Sequence, residues 1–214
     1  MIKINHFTKI FNQRVLFHML NMEITQGDFY IIRGASGSGK TTLINMLGLI
    51  EFPDSGTYTF EGEFINTRKQ ILNIKRKHFA YIYQNYGLLK NKTVQQNLAL
   101  PLNVKYKDTQ LMSDALETVG MSQAILKQKV VSLSGGEQQR IAIARALIKE
   151  STVIFADEPT GNLDEKTSDH IIDIFRDLNK RGKTIIMVTH DPKYFNIGTR
   201  EYTINQTSCD ATLN

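Results

Sequence analysis

The sequence predicts an α/β fold: a parallel sheet, an antiparallel β layer beside it and an inserted helical lobe. Three observations carry that expectation. Gly34-Ala-Ser-Gly-Ser-Gly-Lys-Thr41 fits G-x-x-x-x-G-K-[ST], the P-loop pattern, between a short apolar run and a helical one. Thr152-Val-Ile-Phe-Ala156 and Thr184-Ile-Ile-Met-Val188 are continuous apolar runs, as expected of strands buried on both faces. Between them Ile171, Ile174, Phe175 and Leu178 form a helix stripe, so strand, helix and strand alternate.

In chain order, Met1–Phe7, Leu20–Ile24 and Gly56–Phe60 alternate apolar and polar residues and predict a mostly antiparallel layer. Phe29–Arg33 reads as a short buried strand and Thr42–Gly48 as a helix. Pro53-Asp-Ser-Gly56 signals a turn. After Gln84 the pattern becomes helical. Leu111, Met112, Ala115, Leu116 and Val119 share one face, with Gly120 as the C-cap. A core pattern resumes near Ser134, with a helix over Glu137–Lys149, and Gly182 marks the turn into the last apolar run. The chain thus reads as one domain: residues 1–84 and 133–214 form the core with its β layer, and residues 85–132 are an inserted helical subdomain.

Composition sets outer limits. A chain of 214 residues with 41% hydrophobic content supports one large domain. No apolar run has the length needed to cross a bilayer, and Met1-Ile-Lys-Ile-Asn-His alternates like a strand, unlike a signal peptide. Cys209 is the single cysteine, which excludes an internal disulfide and fits a reducing cytosol. The net charge of +5 is a mild excess, compatible with nucleotide phosphates or anionic lipid. It is not the dense stripe that nucleic acid requires, so no nucleic-acid partner is expected. Lys69–Lys77 is the most basic stretch and reads as a solvated face.

The first loop has a chemical logic. Its glycines let successive N–H groups curl inward toward phosphate oxygens. Lys40 adds a positive charge near the terminal phosphates, the Thr41 hydroxyl can ligate Mg²⁺, and the following helix points its N-terminus at the anion. Gly34, Ala35, Ser36, Gly37, Ser38, Gly39, Lys40, Thr41 and Thr42 are therefore the candidate nucleotide-binding residues. A second anion signal is Leu133-Ser-Gly-Gly-Glu-Gln-Gln-Arg140, where the Ser134 hydroxyl and the N–H groups of Gly135 and Gly136 stand at another helix N-terminus.

That octet resembles the signature motif of ATP-binding-cassette ATPases, and the resemblance covers nearly the whole chain. Val153-Ile-Phe-Ala-Asp157 is similar to the Walker B strand of the family, with Glu158 in the place of the catalytic glutamate. Gly161-Asn-Leu-Asp164 is similar to its D-loop, His190 to its switch histidine and Gln84 to its Q-loop glutamine. Phe11 falls where the family usually has an adenine-stacking tyrosine. The resemblance implies a RecA-like P-loop NTPase core that binds ATP and Mg²⁺. It implies Mg²⁺ ligation by Thr41, Gln84 and Asp157 (the last through water), and catalysis by Lys40, Gln84, Glu158 and His190. It places Phe11, Asp164, Ser134, Gly135, Gly136 and Glu137 on nucleotide. It also implies a head-to-tail dimer in which Ser134–Gly136 of one copy closes over the γ-phosphate held by the other.

Transport would need separate permease subunits, expected to dock near Gln84–Leu98 on Tyr83, Tyr86, Leu88, Leu89 and Leu98. The chain would then lie in the cytoplasm, peripheral on the inner face of the membrane. Within the family it is most similar to the lipoprotein-release, macrolide-export and bacteriocin- or antimicrobial-peptide-export group, which implies export of a peptide- or lipid-like substrate. A regulatory cassette of cell-division type and a soluble cassette acting on nucleic acid or ribosomes are the alternatives. Two departures stand out. Phe11 lacks the phenolic hydroxyl, and Asn85-Tyr-Gly-Leu-Leu-Lys90 lacks the usual proline after the leucine pair, so the lobe is expected to start differently. Asn91-Lys92-Thr93 looks like a guanine-reading motif, but Val94 stands where its aspartate would be, so ATP is expected.

Overall fold

The computed structural model describes residues 1–102 and 108–204; Cys209 and part of the expected lobe lie outside them. Strands β1 (Ile2–Phe11) and β2 (Arg14–Ile24) form a long antiparallel hairpin. Ile2 and Ile4 point inward by alternation. His6 then takes a left-handed φ of 53° and shifts the register, which turns Phe7 into the core out of strict phase. β3 (Phe29–Gly34) leads through the glycine-rich loop into α1 (Lys40–Leu47). β4 (Ser55–Phe60) and the short β5 (Glu63–Phe64) complete the antiparallel sheet in the order β2-β1-β4-β5.

Helix α2 (Arg68–Lys77) opens on a capping box between Thr67 and Gln70 and runs directly into β6 (Phe79–Ile82). The lobe follows, with α3 (Val94–Leu98), α4 (Thr109–Thr118) and two short 3₁₀ turns over Gln123–Lys127 and Val130–Ser132. Thr93, from the guanine-like tripeptide, is the N-cap of α3. On α4, Met112, Ala115 and Leu116 are buried, but Leu111 is 38% exposed and leaves the expected stripe. α5 (Gly135–Ile148), β7 (Val153–Asp157), α6 (Glu165–Lys180), β8 (Thr184–Val188) and β9 (Arg200–Ile204) return the chain to the core.

The second sheet is parallel in the order β6-β7-β8-β3-β9. Both of its faces are covered, which explains the continuous apolar runs of β7 and β8. Ile31, Ile82, Ile154, Ala156, Ile185 and Met187 face one cluster shared with α4, α5 and α6. Tyr30, Ile32, Phe79, Val153, Phe155 and Ile186 face the other, shared with α1 and the β layer. There Phe155 packs edge-on to Phe79 at 4.9 Å and stacks on Tyr81 at 5.5 Å. The carboxyl ends of β3, β7 and β8 open together, the position where open α/β sheets bind ligands. Among the described residues no helix is long and apolar enough to cross a membrane.

Candidate functional site

The loop between β3 and α1 needs glycine at two points. Gly37 and Gly39 have φ of 74° and 95°, and a Cβ on Gly39 would come within 3.0 Å of Leu16. Lys40 folds back so that Nζ donates to the carbonyls of Gly34 and Ala35, both at 2.9 Å, which holds the ammonium beside the loop. Helix α1 is the exception among the six α-helices of the described residues. Thr67, Thr93, Asp108, Ser134 and Asp164 cap the other five with side chains, whereas Gly39 offers α1 no side-chain cap. Its first-turn N–H groups and dipole are therefore available to an anion.

A cleft of about 660 Å³ lies over this loop, lined by residues 34–37, Lys40, Thr41, Gln84, Asp157, Glu158 and His190. β7 delivers Asp157 to the cleft floor, where the carboxylate is buried and one of its oxygens, Oδ1, has no hydrogen-bond partner. Burial raises its pKa; a hydrogen bond from Thr41 and the charge of Lys40 oppose that shift, and the charge of Glu158 adds to it. A buried, half-satisfied carboxylate beside a threonine hydroxyl and an amide is a hard-oxygen donor set. It fits Mg²⁺, which keeps waters and takes few protein ligands. No cluster of three or more His, Cys, Asp or Glu suited to a metal occurs among the described residues, so a full protein cage is absent.

Glu158 has a left-handed φ of 50°, and its N–H donates to Val188 O at 3.0 Å. Its carboxylate meets His190, with Nδ1 2.8 Å from Oε2 and the main-chain N–H donating to the same oxygen at 3.4 Å. The chain path thus aims the carboxylate into the cleft rim and locks it on the histidine.

The remaining expected residues do not line this cleft. Ser134 caps α5: its Oγ accepts from Glu137 N–H at 3.3 Å, while its hydroxyl and its own N–H each donate to Glu137 Oε2 at 2.8 Å. These hydrogen bonds, from the backbone first, hold the Glu137 pKa below its ordinary value. Gly135 faces the Tyr86 hydroxyl, and Gly136 backs onto Asn162 O. Asp164 caps α6, with both carboxylate oxygens engaged by Thr167. Phe11 stands at the end of β1, 62% exposed. Ser38 is buried behind the loop, and Thr42 is in the first turn of α1 without lining the cleft.

Of the expected docking residues, Leu98 is fully buried in the core and is not on the surface. Tyr83 instead borders a groove of about 240 Å³ with Tyr81, Leu100, Arg145 and Lys149. Sequence reading missed Arg145. Its guanidinium donates to the carbonyls of Gly87 at 2.6 Å and Tyr86 at 3.1 Å, fixing the turn that follows Gln84. An arginine inside a helical pattern gives no sign of this; only the left-handed φ of Tyr86 and Gly87 reveals the turn it holds.

Comparison with known proteins agrees with this geometry. Residues 17–161 match the ABC transporter family. The chain is 40% identical to the uncharacterized ABC transporter ATP-binding protein YknY of Bacillus subtilis, over 83% of this chain and 80% of that protein. It is 43% identical to the macrolide export ATP-binding/permease protein MacB of Chlorobaculum tepidum, over 80% of this chain but only 27% of that longer protein. Among solved structures, a dimeric post-hydrolysis state of the ATP-binding cassette MJ0796 bound to ADP and Pi superposes with a TM-score of 0.88. The two are 31% identical over 95% of this chain and 94% of the other. The chain belongs to the ATP-binding-cassette transporter family, as its ATP-binding and ATP-hydrolysing component.

Proposed function

We propose that this cassette powers a membrane transporter that exports a peptide- or lipid-like substrate through separate permease subunits, and that it works as a head-to-tail dimer. The observation that carries the dimer is the division of the site. The cleft over α1 has the lysine, the hydroxyl and the carboxylates, while Ser134–Gly136, the other anion-suited helix terminus, contributes nothing to its lining. A second copy turned head to tail would bring that terminus to the open side of the cleft. The dimeric cassette to which this chain is similar supports dimerisation, and the likeness to MacB supports export.

In this reading the loop amides and Lys40 bind and orient the triphosphate. Thr41, Asp157 and Gln84 would hold Mg²⁺, which would supply charge neutralisation at the phosphates. Glu158 accepts a proton from the attacking water, and His190 fixes the Glu158 carboxylate. Phosphoryl transfer depends chiefly on such positioning and electrostatics. The groove bordered by Tyr83 and Arg145 receives a permease segment, placing the cassette on the cytoplasmic face of the membrane.

A positioned general base typically contributes about 10²–10⁴-fold. Glu158→Gln should therefore lower ATP turnover by at least about a hundredfold and accumulate an ATP-dependent dimer on size exclusion with light scattering. Near-normal turnover in that variant would remove Glu158 from the chemistry.

A further inference from the structure

Helix α2 concentrates charge in a way the nucleotide site does not use. Arg68, Lys69, Lys75, Arg76 and Lys77 lie within ten residues that contain no carboxylate. Removing these five from the chain's 26 Lys and Arg leaves 21, equal to its 21 Asp and Glu. The whole excess charge of the protein is therefore on this one helix. Lys75 turns inward, donating to Leu49 O and lying over the Tyr81 ring. Arg68, Lys69, Arg76 and Lys77 are exposed, and among the described residues none has an ion-pair partner.

Helix electrostatics explain only part of this. Arg76 and Lys77 in the last turn suit the negative end of the dipole. Arg68 and Lys69 are in the first turn, where the dipole opposes cations, so their placement costs the helix stability. Apolar side chains accompany the charges. Leu72 is 57% exposed in the middle of α2, and Phe64 and Phe52 are about half exposed along a groove that Ile71 also lines. Unpaired cations interleaved with exposed leucine and phenylalanine are the composition of a surface that rests in a lipid interface. A purely acidic segment would use the cations but not the apolar side chains. The position agrees: α2 lies beside edge strand β6, and Lys149, which borders the Tyr83 groove, donates to the Lys75 carbonyl.

We propose that α2, with Leu72, Phe64 and Phe52, is a docking surface for an anionic lipid headgroup layer. Its orientation toward the bilayer rests on the transporter reading, but lipid binding by the chain alone does not. The four free cations meet lipid phosphates, and the three apolar side chains enter the headgroup region. The surface supplements a permease contact by holding the cassette against the membrane.

Cosedimentation of the whole chain with vesicles tests this without any permease. The chain should bind vesicles of phosphatidylglycerol mixed into phosphatidylcholine, leave pure phosphatidylcholine vesicles unbound, and be released by high salt. Each Lys or Arg near an anionic leaflet strengthens partitioning about fivefold. The variant Arg68→Gln/Lys69→Gln/Arg76→Gln/Lys77→Gln should therefore bind at least about a hundredfold more weakly while keeping its melting temperature and basal ATPase rate. A charge-matched control, Lys127→Gln/Lys129→Gln/Lys166→Gln/Arg181→Gln, should retain most of the binding. Phe64→Ser/Leu72→Ser, with every cation in place, should also weaken it several-fold. Equal loss in the control, unchanged binding in the serine variant, or capture of soluble polyglutamate with no vesicle binding would each overturn the proposal. None of those outcomes bears on the Glu158→Gln dimer, so the two readings fail separately.

Discussion

Glu158 holds a left-handed backbone that costs a residue with a side chain on the order of 1–3 kcal/mol. The N–H bond to Val188 O and the contact with His190 maintain it, and the result is a carboxylate aimed across the cleft. Asn97 is a second residue with an outsized task. It is fully buried, accepts from Leu89 N–H at 2.8 Å, and donates to Leu89 O and Thr93 O, closing the loop that begins the lobe. Asn97→Ala would leave the Leu89 N–H unpaired, while Leu89 O and Thr93 O keep their bonds from the Lys92 and Asn97 main-chain N–H groups, and should cost about 2 kcal/mol of unfolding free energy in urea titration. A change under about 0.5 kcal/mol would contradict this role. This asparagine ties the stretch after Leu89 to the start of α3. Asn97 was not legible in the sequence because a buried asparagine and a surface one look alike. Gln84, Asp157, Glu158 and His190 were legible because their order and spacing accompany the glycine loop, and the structure does bring them to one cleft. Asp164 carries the same ambiguity as Asn97: its residue type suits a ligand contact and a helix cap equally, and both its oxygens serve the cap.

At the scale of elements, readability followed burial. β3, β7 and β8 are covered on both faces and stand out as apolar runs. β6 is four residues long and follows directly on a basic helix whose only fully buried side chain is Ile74, so neither α2 nor β6 declares itself by period. β9 is an edge strand with a mostly exposed pattern, so no apolar run marks it. Helix α5 was legible through its cap, and that cap carries a pH prediction. The Glu137 carboxyl is held below its unfolded value, so its contribution to stability is complete above about pH 4.3 and disappears as pH falls through the folded-state pKa. Glu137→Gln should therefore melt below the wild type at neutral pH, with the two melting curves converging as acidification protonates the cap. Parallel curves across that range would show that the ionised cap contributes nothing.

For the whole molecule, the two anion-suited helix termini differ in what surrounds them. The N-terminus of α1 is uncapped and faces a cleft with a lysine, a threonine hydroxyl and two carboxylates. That of α5 is capped and held between Tyr86 and the Asn162 loop. One chain thus presents two anion-suited termini that the fold keeps apart, and the sequence motifs could not show that separation because spacing along a chain does not reveal which face a helix terminus meets. The link from Gln84 to α5 through Arg145 and Tyr86 gives a structural route by which a partner at the Tyr83 groove would reach the α5 terminus. In the proposed dimer this terminus acts on the nucleotide of a second copy. The most direct measurement places Ser134→Arg in the Glu158→Gln background and follows ATP binding and molar mass together. ATP should still bind each monomer with nearly unchanged affinity while the ATP-dependent dimer disappears. Persistence of the dimer, or equal loss of binding and dimerisation, would contradict it.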